Sequence, residues 1–225
     1  MLFRSAFGTI GDASTSEGPF WETINAAGVL QVPMVMSVWD DGHGISVPKK
    51  YQTTKESISD ILKGFQRNEH QKGYEILKSK GWDYPHLCET FEKATKIARE
   101  EHVPVLVHVE EVTQPQGHST SGSHERYKSK ERLAWEAEFD PIKKFKEWII
   151  ASAIASEDEL NEIEKNAKQH IKDAKKSAWT AYLNPIKSDL NTVVAYLIKF
   201  NNIEVTRLAE ELKRTMDPGR KDVLS

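Results

Sequence analysis

The chain has 225 residues, 38% of them hydrophobic and 29% charged, the profile of an ordinary folded chain with material for one sizeable core. A net charge of −3 argues against nucleic acid as the main partner, and the single cysteine, Cys88, excludes a disulfide framework and fits a reducing compartment. No apolar run approaches a membrane span and Met1 to Gly8 is too short for a signal peptide, so the sequence reads as cytoplasmic, with no membrane partner.

From the amino end, Thr9-Ile10 closes a short apolar stretch fit for a strand, and Gly11 lets the chain turn before Asp12. Ser16 with Glu17 marks a helix start, and Phe20, Ile24, Ala27 and Val29-Leu30 recur at helical spacing until Pro33. Met34 to Val38 is a nearly continuous apolar run, expected of a strand buried on both faces of a parallel sheet, and it leads into Asp40-Asp41-Gly42. Asp12 and Asp41 therefore fall at the carboxyl ends of neighbouring strands, where open α/β sheets bind ligands. Magnesium takes one or two carboxylates completed by phosphate oxygens and water, and a backbone carbonyl at His43 would add a third protein oxygen. Either acid could instead cap a helix or turn a loop. The strand–helix–strand between them favours a metal that holds a diphosphate.

Further on, Lys49 to Thr54 is a polar loop placed to close over a ligand, and Ile58, Ile61-Leu62 and Phe65 form a short amphipathic helix. Gly73 to Leu77 is an expected strand and Gly81-Trp82-Asp83 a turn. Leu87, Phe91, Ala94 and Ala98 mark a helix that contains Cys88, read as a small buried residue. Val103 to Val109 is the next buried strand, and it runs into Gly117-His118-Ser119-Thr120-Ser121 and Arg126-Tyr127. A histidine in such a loop is either solvated or a group that gives and takes protons near neutrality. His124 lies close by, but no carboxylate or thiol completes a metal site with it.

After Asp140 the pattern turns helical: Ile142, Phe145 and Ile149 mark one helix, and Ser156 with Glu159 is a capping-box start. Leu160, Ile163, Ala167, Ile171, Ala174 and Ala178 continue at three-and-four spacing. A last helix carries Leu190, Val193-Val194, Leu197, Leu208 and Leu212 and ends at Pro218-Gly219. These stripes read as packing faces toward a partner subunit or domain. The expected organisation is an α/β domain over residues 1–150 and a helical extension over 151–225.

Several of these pieces coincide with a known pattern. Gly11-Asp12, Ser16-Glu17-Gly18, Asn25-Ala26-Ala27, Gly42, Ile45-Ser46 and Pro48 resemble the cofactor motif of thiamine diphosphate enzymes. The likeness is to the alpha component of 2-oxo acid dehydrogenase complexes of the branched-chain and pyruvate type. The His118-Ser119-Thr120-Ser121 loop and Asp140-Pro141-Ile142 are similar to later family motifs, so the resemblance covers about residues 6 to 165. It implies a partial thiamine diphosphate-binding fold, with a parallel sheet flanked by helices and a helical extension. Asp12 and Asp41 would ligate Mg²⁺ through side chains and His43 through its carbonyl. Gly11, Ala13 and Ser14 would lie along the diphosphate, Ile45 near the thiazolium, and His118 over the reactive ring, assisting acyl transfer. Ser119 and Ser121 occupy places that are phosphorylated in some relatives.

The same resemblance implies oxidative decarboxylation of a 2-oxo acid, with the His-Ser-Thr-Ser form leaning toward branched-chain substrates, and acyl transfer to lipoamide. Its partners would be a beta component or fused beta domain and the lipoyl acyltransferase core, in an oligomer. The family has a long segment before the Gly-Asp motif, so the sequence is expected to be the middle of an alpha–beta fusion and inactive by itself. Three departures stand out. Asp40-Asp41 replaces an asparagine pair, Ala13 replaces a glycine, and Trp39 and Gln114 stand where relatives often contact the diphosphate with polar or basic groups. The alternatives are a transketolase-type thiamine enzyme, which would not share the His-Ser-Thr-Ser loop, and a non-catalytic interaction module.

Overall fold

Apolar strands and the helices between them build the first part of the chain in alternation. In the computed structural model, which describes residues 4–115, 117 and 123–224, strand β1 (Ala6–Gly11) passes through a 3₁₀ turn at Ala13–Ser16 into helix α1 (Gly18–Leu30). Strand β2 (Met34–Trp39) follows, then a small hairpin of β3 (His43–Gly44) and β4 (Val47–Pro48). Next come α2 (Ile58–Ile61), β5 (Glu75–Lys80), α3 (Tyr84–Lys96) and β6 (Val105–Glu110). Two further helices, α4 (Lys130–Glu138) and α5 (Pro141–Ala151), complete the first of two compact units, Met1–Ile154 and Ala155–Ser225.

The four long strands form one parallel sheet in the order β1-β2-β6-β5. Phe20, Ile24 and Ala27 of α1 pack with Val38, Ile58, Leu62 and Leu106 on one face. Ala94, Ile97 and Ala98 pack with Val35, Val105, Val107 and Val109 on the other. Each fully buried aliphatic side chain contributes about 1.5–3 kcal/mol relative to exposure, so these two layers, rather than helix propensity, hold the sheet. Coverage on both faces explains why Val105, Leu106 and Val107 are sealed from solvent, as an unbroken apolar run predicts. The register pairs Gly11 with Trp39 and Trp39 with Val109, so three strands end level.

Two local expectations are revised. The strand expected from Gly73 begins at Glu75, because Tyr74 makes only an isolated bridge to Gln66. Cys88 is exposed rather than buried, because α3 turns Leu87, Thr90, Phe91 and Ala94 toward the sheet and leaves Cys88 on its outer flank. The Asp140-Pro141-Ile142 motif has a plain mechanical role: Asp140 Oδ1 accepts from the amides of Ile142 (2.8 Å) and Lys143 (3.3 Å), with Pro141 at the first helical position.

The second unit is helical. Helix α6 (Glu157–Ile198) starts on the capping box of Ser156 and Glu159 and continues through Pro185. The single last helix read from the sequence is two elements, the end of α6 and α7 (Ile203–Lys213), followed by α8 (Arg220–Leu224). Asn201 takes a left-handed conformation (φ 47°), and Asn202 caps α7 by accepting from the amides of Glu204 (2.9 Å) and Val205 (3.3 Å). That break folds the chain back, so Leu190 and Val194 bury against Ala209 and Leu212. Among the described residues no helix is long and apolar enough to cross a membrane.

Candidate functional site

Level strand ends bring the loops that follow β1 and β2 to one edge of the sheet. The Asp12 amide donates to the Trp39 carbonyl (3.0 Å), and the Asp40 amide donates to the Val109 carbonyl (2.9 Å), extending both pairings one residue past the strands. Beyond Asp12, the amide and hydroxyl of Thr15 both donate to the Asp12 carbonyl (3.1 and 2.6 Å), fixing the 3₁₀ turn that contains Ala13 and Ser14. Asp12 and Asp41, distant in sequence, are thus drawn to the same sheet edge.

The acids there differ sharply. Asp12 is only 6% exposed, and its Oδ2 is buried with no hydrogen-bond partner. Burial first, then the neighbouring Asp40 and Asp41 charges, push its carboxyl up to about 7; the Ala13 amide and Lys49 act against them. Asp40 is equally buried but fully engaged. Its Oδ1 accepts from the Gly42 amide (2.8 Å), and its Oδ2 accepts from Lys49 Nζ (2.8 Å) and His108 Nε2 (3.1 Å). Burial pushes this carboxyl up, but the His108 and Lys49 hydrogen bonds outweigh it and hold the group down to about 2. Since an ionised Asp40 only accepts, His108 Nε2 is the donor in this pair, and Nδ1 lies 2.9 Å from the Ser59 hydroxyl. The extra negative charge noted in the sequence is thereby met by protein groups.

Asp41 is half-buried, and its Oδ1 accepts from the His43 amide (3.0 Å). Gly42 between them has φ +80°, a conformation that favours glycine. Ile45, in the turn of the hairpin, also has a left-handed backbone (φ 59°) while remaining 59% exposed. A β-branched residue held there is strained by about 1–3 kcal/mol, an arrangement that clusters at ligand sites. Gly11 faces open space: a Cβ there would meet nothing within 4 Å. Ala13 is accommodated by Gly44, where a Cβ would come within 2.9 Å of the Ala13 methyl. Trp39 directs its ring N–H to the Ser37 hydroxyl (2.9 Å), and the Gln114 carbonyl accepts from the Gly117 amide (2.9 Å). His118, with Ser119 and Ser121, lies outside the described residues.

Sequence reasoning missed two sets of residues. Lys49, Ser59 and His108 form the network around Asp40; the one signal was a histidine inside an otherwise apolar strand. Arg132 donates from Nη2 to the Asp41 carbonyl (2.9 Å) and from Nε to Glu136 (2.8 Å), and Lys128 binds both oxygens of Glu136 (2.8 and 2.9 Å). The four-residue spacing of Arg132 and Glu136 within α4 was the readable sign; Lys128 precedes the helix.

Among the described residues no group of three or more His, Cys, Asp and Glu side chains could hold a metal. The donors that could take a hard cation are fewer: the Oδ2 of Asp12, buried without a partner, and the carboxylate of Asp41, whose charge acts on Asp12. In open parallel α/β sheets ligands bind beyond the carboxyl ends of the strands, the edge at which Asp12 stands here. Residues 4–186 match the model of the family described as the dehydrogenase E1 component, and the chain belongs to that family. It is 27% identical over 201 residues to 2-oxoisovalerate dehydrogenase subunit alpha 1, mitochondrial, of Arabidopsis thaliana, covering 88% of this chain and 40% of that protein. It is 31% identical over 159 residues to the pyruvate dehydrogenase E1 component subunit alpha of Porphyra purpurea, covering 70% of this chain and 43% of that protein. The corresponding subunit of Rickettsia bellii is 27% identical over 173 residues, covering 75% of this chain and 49% of that protein. The chain thus spans less than half the length of each of these relatives.

Proposed function

We propose that the chain forms the magnesium- and diphosphate-binding part of the alpha component of a thiamine diphosphate-dependent 2-oxo acid dehydrogenase. The observation that carries this reading is the buried, unpartnered Oδ2 of Asp12, standing beside Asp41 within the segment that matches the family. A buried carboxylate without a partner is costly, and a bound dication removes that cost. Asp12 and Asp41 would hold Mg²⁺ with the His43 carbonyl; Gly11, Ala13 and Ser14 would lie along the diphosphate, and Ile45 would support the ring. When bound, thiamine diphosphate supplies the electron sink for decarboxylation. The protein's own tasks are to anchor the anion, keep water from the crevice and present His118 as a proton-transfer group for passage of the acyl group to lipoamide.

The activity of the whole enzyme, its beta partner and its lipoyl acyltransferase core follow from the same reading. Relatives named for 2-oxoisovalerate and for pyruvate both support the 2-oxo acid class. The His118-Ser119-Thr120-Ser121 form carries the finer preference for branched-chain substrates. Ferricyanide reduction driven by a 2-oxo acid, with the full chain supplied with thiamine diphosphate, magnesium and a beta-type partner, tests it. The expected outcome is turnover that a chelator abolishes and that favours branched-chain acids. Ketose transfer without 2-oxo acid oxidation would sink the reading.

A further inference from the structure

We propose that Arg132 is a positioning residue for the metal loop: held by the buried pair Glu136 and Lys128, its guanidinium clamps the Asp41 carbonyl and so fixes the second carboxylate of the site. The inference rests on the reading of Asp12 and Asp41 as the magnesium–diphosphate anchor.

The geometry is specific. The side chains of Lys128 and Glu136 are 2% and 1% exposed, and the ammonium reaches both carboxylate oxygens. Arg132, on the same face of α4, donates Nε to Glu136 Oε1 at 2.8 Å, and its guanidinium carbon lies 4.7 Å from the centre of the Trp135 ring. With Nε and the guanidinium plane fixed in this way, Nη2 meets the Asp41 carbonyl at 2.9 Å. In the same loop the Asp40 amide and carbonyl bond to Val109 and Val112, the Gly42 and His43 amides donate to the Asp40 and Asp41 carboxylates, and the Gly42 carbonyl accepts from the Lys49 amide. The Asp41 carbonyl accepts from Arg132, 91 positions away, and lies 3.4 Å from His43 Nδ1, beside a glycine at φ +80°.

Stability alone does not call for such a trio, since well-packed apolar groups generally serve a buried core as well as an ion cluster does. A planar guanidinium, however, can hold a carboxylate with one edge and a carbonyl with another, which an ammonium cannot. Partners that orient metal-ligating groups typically set metal affinity about 10–100-fold.

The test uses the full chain with two readouts: amide hydrogen exchange at residues 40–43 without ligand, and equilibrium dialysis of magnesium–thiamine diphosphate. Arg132→Met is expected to accelerate exchange at Gly42 and His43 and to weaken binding about tenfold. Arg132→Lys, which keeps a cation beside Glu136, is expected to show the same faster exchange, and it carries the test should the methionine variant fail to fold. Unchanged exchange and binding in the variant that folds would overturn the clamp. If the unaltered chain binds nothing while either variant still speeds exchange, the cofactor reading fails and the clamp stands.

Discussion

The loop after β1 and the loop after β2 each bring a buried aspartate to the same sheet edge, yet the two acids live in opposite conditions. Asp40 has a lysine, a histidine and a backbone amide, whereas Asp12 keeps one oxygen buried with no partner. The first is a strut of the fold. The second keeps one carboxyl oxygen that the fold leaves unmet, and buried polar groups are otherwise so regularly satisfied that this exception supports the cation site proposed above.

Substitutions at the two positions should therefore move stability in opposite directions. Removing one member of a buried ion pair is strongly destabilising, so Asp40→Ala should cost the chain about 3 kcal/mol in denaturant unfolding. A value near zero would erase the distinction between the loops. Asp12→Asn should do the reverse, stabilising the ligand-free chain by about 2 kcal/mol while abolishing magnesium-dependent binding.

The pH dependence sharpens the same contrast. Asp12 is raised from 3.8 to about 7, so the unfolded chain gives up this proton more readily than the folded one. Its contribution makes the ligand-free protein lose stability as pH rises from 3.8 toward 7. Asp40 is lowered from 3.8 to about 2, and its stabilisation, complete above 3.8, is lost as pH falls toward 2. Unfolding measured across both windows should show the upper slope vanish in Asp12→Asn and the lower one persist. The smallest effect belongs to Ile45→Gly, which relieves the left-handed backbone and should stabilise the ligand-free chain by about 1 kcal/mol while weakening cofactor binding. Loss of stability in that variant would remove strain from the account.

Much of the first unit was legible because its signals are local. Met34 to Val38 and Val103 to Val109 are largely apolar without alternation, as strands covered on both faces require, and Asp41 follows from where the first of them stops; Asp12 follows from the end of the more exposed β1. The partnership of Asp40 was not legible, since it depends on His108, 68 positions away, and on a lysine in the next loop. Cys88 was misjudged because a helix pattern names the buried stripe but not how far round the helix the sheet reaches. The break between α6 and α7 was missed because apolar spacing continues across it; Asn201-Asn202, a left-handed residue followed by a cap, was the overlooked signal.

Calorimetric titration with thiamine diphosphate, with and without magnesium, on the unaltered chain and on Asp12→Asn tests the central claim most directly. Saturable heat that requires magnesium and disappears in the variant is the expected result. Binding of equal strength in both proteins, or none in either, would contradict the assignment of Asp12 as the waiting ligand of a metal-held diphosphate.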